Sequence, residues 1–142
     1  MAPFVEGLAL NDAGTRGAVI GATAGLYLFD PADLRGSLSH TPLRLADDSS
    51  GVAFISGTER LVVANSRNPS NYVVIDPTEL EAPVVIDEGD GLDATPFMVP
   101  AVPNRQGVVL PLSRNDSLRV PHLDVSNVPA RVLHDIEVLD VP

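Results

Sequence analysis

The feature that most constrains this chain is a hairpin signature that returns at a nearly constant interval. Its clearest copy runs from Arg60 to Asp76, RLVVANSRNPSNYVVID. Leu61, Val62, Val63 and Ala64 lead into a polar turn that holds Asn65, Arg67, Asn68, Pro69 and Asn71. Tyr72, Val73, Val74 and Ile75 lead out of it to Asp76-Pro77. β-Branched runs on both sides of a Pro/Asn/Ser cluster are the pattern of an antiparallel hairpin. The second strand of such a hairpin ends at Phe29-Asp30-Pro31, at Ile75-Asp76-Pro77 and at Leu123-Asp124-Val125. The three aspartates stand at 30, 76 and 124, so the interval is 46 and then 48 residues.

Two further landmarks keep the same register. The turns ahead of the hairpins align: Asp12-Ala13-Gly14-Thr15-Arg16, Ser56-Gly57-Thr58-Glu59-Arg60 and Pro103-Asn104-Arg105-Gln106-Gly107. The start Ala2-Pro3-Phe4-Val5 echoes Thr95-Pro96-Phe97-Met98. Each unit then reads as four short strands: 4–10, 17–23, 25–30 and 42–46; 51–56, 60–65, 71–76 and 83–87; 97–102, 107–112, 117–123 and 130–134. Four antiparallel strands recurring every ~40–50 residues are the pattern of a β-propeller blade. A four-stranded sheet with two apolar faces cannot bury both alone, whereas sheets stacked face to face can. The expected fold is therefore all-β: a propeller of three four-stranded antiparallel blades, at about 3–48, 49–93 and 94–135, with a tail at 136–142. The tail, IEVLDVP, alternates apolar residues and either begins the inner strand of a fourth blade or trails off. No segment has sustained helical periodicity, and Asp33 to Ser39 is too short and contains Gly36.

Within that frame the first strands are small and apolar (Leu8, Ala9 and Leu10; Val52, Ala53, Phe54 and Ile55), as a crowded strand beside a propeller axis should be. Gly17 and Gly21 suit close approach of backbones. The third unit is the weak copy. Pro100 falls in an inner edge strand, but Pro111 and Pro121 fall in central ones, where a missing N–H breaks the ladder. Those strands should be shortened, bulged or irregular.

Composition removes several functions. With no cysteine among 142 residues there are no disulfides, thiolate metal sites or cysteine nucleophiles. All nine basic residues are arginine, so lysine Schiff bases, the phosphate-loop lysine and the Ser-x-x-Lys pair are excluded. A formal net charge of −10 repels phosphate backbones and anionic membrane surfaces, so neither nucleic acid nor membrane is an expected partner. The plain reading of that charge is solubility. No apolar run approaches the ~20 residues of a membrane span. MAPFVEGLAL has neither a basic region nor a long apolar core, so no signal peptide is expected there.

Residues 57–91 pair Leu61-Val62-Val63-Ala64-Asn65 with Tyr72-Val73-Val74-Ile75-Asp76-Pro77 and close on Val84-Val85-Ile86-Asp87-Glu88-Gly89-Asp90-Gly91. This unit resembles the YVTN/lactonase-like repeats of bacterial surface and periplasmic propellers. The likeness extends to all three units but is sharp only in the middle one. The first has Ala22-Thr23 and the third Leu112-Ser113 where the middle unit has Asn65-Ser66. The resemblance implies a propeller, an extracytoplasmic setting, and a family that spans surface proteins, lactonases and quinoprotein-like enzymes. Propellers generally close with four to eight blades. Three blades imply either a piece of a longer propeller or two copies in a head-to-tail, closed six-bladed ring.

Ligands in such folds generally meet the loops between strands two and three and those between blades. Here the first set offers Asn65, Arg67, Asn68 and Asn71, then Arg114, Asn115 and Asp116. The second is acidic: Asp47-Asp48, then Asp87, Glu88, Asp90 and Asp93, then Asp135 and Glu137. Asn65, Arg67, Asn68, Arg114 and Asn115 are the candidate ligand contacts. Asp87, Asp90 and Asp93 are the candidate Ca²⁺ ligands, because hard cations need several oxygens. Against this, the loop lacks EF-hand spacing, Asp90-Gly91 is simply a turn pair, and a solvated acidic rim explains the same residues. His40, His122 and His134 share no metal-ligand spacing. Gly36-Ser37-Leu38-Ser39-His40 is no nucleophile elbow. Asp30, Asp76 and Asp124 recur at strand ends and are expected to cap turns. The resulting expectation is a non-catalytic binding or scaffolding segment. The alternative is part of a lactonase-like or other hydrolytic propeller with a Ca²⁺-type site.

Overall fold

A computed structural model of the chain describes residues 5–21, 25–37, 49–65, 72–89, 95–96, 102–104, 107–109, 112–114, 117–124, 129 and 131–138. From residue 95 onward, Asp124 and Pro129 apart, the description is of the backbone. The strands form three antiparallel sheets in chain order.

The first sheet holds β1 (Val5–Leu10), β2 (Gly17–Gly21) and β3 (Gly25–Phe29), paired in that order. A fourth strand at 42–46 lies outside the described residues. After β3 the chain makes one helical turn, α1 (Leu34–Ser37), which the sequence does not announce. It buries no residue and is held by polar caps instead. The Asp33 carboxylate accepts from the Gly36 N–H at 3.0 Å, and the Ser37 hydroxyl donates to the Asp33 carbonyl at 2.6 Å.

The second sheet is a complete meander: β4 (Ser49–Phe54), β5 (Leu61–Asn65), β6 (Tyr72–Asp76) and β7 (Val84–Gly89). Register shifts lie between Ser49 and Gly51 and between Val74 and Ile75.

The third sheet is broken where the prolines fall. Its inner edge consists of β8 (Thr95–Pro96) and β9 (Val102–Asn104), and its second strand of β10 (Gly107–Val109) and β11 (Leu112–Arg114). Both pieces of that second strand pair with β12 (Ser117–Asp124), on either side of Val120 and Pro121. The outer strand β13 (Arg131–Val138) then follows β12, with a register shift at His122/Leu123. Ile136 to Val138, expected in a separate tail, thus continue this outer strand opposite Leu118 to Val120. Asp135 and Glu137, expected in a loop, are strand residues too.

The core lies between the first two sheets. Ala18, Ile20, Leu26 and Leu28 of one meet Val52, Phe54, Leu61, Val63, Val73 and Ile75 of the other, with Ala9 and Val85 at its margin. The opposite face of the second sheet is buried as well: Ala53, Val62, Ala64, Tyr72 and Val74 are inaccessible or nearly so. At about 25 cal/mol per Å² of apolar surface removed from water, this two-sided burial is the main stabilising contribution.

The first sheet differs. Leu8 and Leu10, expected in a crowded inner strand, are 64% and 53% exposed. Gly17 also has a different role from the one its sequence position suggests. A Cβ placed there would lie 2.1 Å from the Phe29 ring, so it makes room for an aromatic side chain rather than for backbone. Gly89 does the same under Tyr72.

Candidate functional site

At one end of the sheets are the turns joining first to second strands. Asn11 and Arg16 close the first turn through a backbone bond of 3.0 Å, and Ile55 and Arg60 close the second at 2.9 Å. In the second, Gly57 takes φ 77°, which the third position of a type II turn requires. In the first, buried Asn11 replaces Ile55 and its side chain is fully engaged. Its Oδ1 accepts from the N–H groups of Thr15 (2.9 Å) and Arg16 (3.0 Å). Its Nδ2 donates to Thr15 Oγ1 (3.1 Å) and to Glu59 of the neighbouring turn (3.2 Å).

Asp12 completes the connection. Its carboxylate accepts from the Gly57 N–H at 3.0 Å and from the Ser56 hydroxyl at 2.9 Å. Those two bonds, the backbone one first, hold its pKa below the ordinary carboxylate value. Arg16 Nη1 donates to the Pro77 carbonyl at 3.3 Å. This end is therefore a set of fixed inter-sheet ties.

The recurring strand-end aspartates belong to the same end. Asp30 accepts from the Ala32 N–H at 2.8 Å, and Asp76 accepts from both the N–H (2.9 Å) and the hydroxyl (2.5 Å) of Thr78. The Thr78 hydroxyl is the main reason that the Asp76 pKa lies below its usual value. Both are the turn caps that the recurrence suggests.

Two of the candidate ligand contacts, Asn65 and Arg114, lie at the opposite end. Asn65 is the last residue of β5 and Arg114 the last of β11, the corresponding strands of the second and third sheets. Arg114 pairs with Ser117, and Asn115, like Arg67 and Asn68, lies outside the described residues. Of the three candidate Ca²⁺ ligands, Asp87 is within β7 opposite Val74, inside the strand expected at 83–87, which runs on to Gly89. Asp90 and Asp93 lie outside the described residues. Among the described residues no group of three His, Asp or Glu side chains is arranged to hold a metal ion. No described helix is long and apolar enough to cross a membrane.

Two arrangements escaped sequence reasoning. The Asn11/Asp12 tie joins turns more than forty residues apart, and only the shared turn register hinted at it. The backbone register also sets His122 directly opposite His134, a pairing that their linear separation hides.

Antiparallel meanders stacked face to face through a shared core define a β-propeller repeat protein. Comparison with solved structures agrees. The chain is similar to the crystal structure of the RRP9 WD40 repeats with a TM-score of 0.68 over 90% of its length, at 18% sequence identity. It spans 36% of that protein's chain. No family model matches the sequence, and no curated protein matches it.

Proposed function

We propose that this chain is a non-catalytic propeller segment that works as a protein-interaction scaffold, built of three blades at about 3–48, 49–93 and 94–135. The single observation that carries this reading is the propeller stacking itself, in which the first three strands of the second sheet are buried on both faces. WD40 likeness supports the scaffold role, because rigid blades that present variable loops suit docking of another protein. The signature in residues 57–91 supports a finer, YVTN-like kinship for the repeat. Asn65, Arg67, Asn68, Arg114 and Asn115 would make the contacts.

Thermal unfolding with added Ca²⁺ and with EDTA, together with a lactone hydrolysis assay, tests this. A scaffold shows the same Tm in both conditions and no turnover. A Ca²⁺-dependent rise in Tm that Asp87→Asn, Asp90→Asn or Asp93→Asn abolishes, accompanied by hydrolysis, would replace it with the metal-dependent reading.

A further inference from the structure

We draw no further inference here: the strongest candidate, the His122/His134 pair set opposite each other on β12 and β13, rests on backbone register alone, with no third metal ligand beside it among the described residues.

Discussion

The first and second sheets share strand order, turn length and closing pairs, yet the second is buried on both sides and the first on one. Val52 and Phe54 are buried, while Leu8 and Leu10, at the corresponding positions of the first sheet, stand in solvent. Hydrophobic sequence is therefore the same instruction in both places, and the neighbour decides its energetic value. A Leu side chain contributes its ~1.5–3 kcal/mol only where something covers it.

The comparison can be broken most directly at its centre. Leu61→Ala should destabilise the fold by about 2–5 kcal/mol in urea titration, because a cavity would open between two sheets. Leu8→Ala, measured at concentrations too low for association, should stay within about 0.5 kcal/mol of wild type. Equal losses would mean the two faces are equally packed and would end the contrast. Gly17→Ala should cost about 1–3 kcal/mol, since the Phe29 ring must leave its place. A Gly17→Ala/Phe29→Leu double variant should recover part of that loss in a thermodynamic cycle.

Smaller effects sharpen the contrast at the turns. Asn11→Ala removes the buried side chain that accepts two partly buried hydrogen bonds, from the Thr15 and Arg16 N–H groups, and should cost about 1–2 kcal/mol by chemical denaturation. The smallest effect belongs to Asp12→Ala, whose carboxylate is exposed, and it should depend on pH. The folded pKa of Asp12 is depressed, so its contribution is present above the unfolded carboxylate value of ~3.9 and is lost as pH falls through the folded one. Melts of wild type and Asp12→Ala should therefore differ at neutral pH and converge in acid. A gap that persisted at pH 2 would point to packing rather than charge.

Much of the architecture was legible because the middle unit is nearly ideal. Leu61 to Ala64 and Tyr72 to Ile75 are β-formers on both sides of a turn cluster, and their strands lie within a residue of the expected bounds. Asp30 and Asp76 were readable as caps because each recurs beside a proline. The single turn α1 was not, since four residues held by Asp33 and Ser37 leave no periodic trace. The third sheet was foreseen as irregular, but its outer strand was cut short, because β13 continues through Asp135 and Glu137, which read as loop acids. Exposure of Leu8 and Leu10 could not be read at all, because alternation reports which residues are apolar and never what stands opposite. At the candidate site, Asn65 and Arg114 fall at corresponding strand ends, while the tie from Asn11 to Glu59 has no local signature.

The bonds from Asp12 to Ser56 and Gly57 have a geometric consequence. They clip two neighbouring turns together at one rim, so the first and second sheets are hinged there rather than merely leaning on each other. The reach of that carboxylate limits how far the two turns can part, and in a propeller the angle between neighbouring sheets determines how many complete a circle. Asp12→Glu, longer by one methylene, would act as a shim under that hinge.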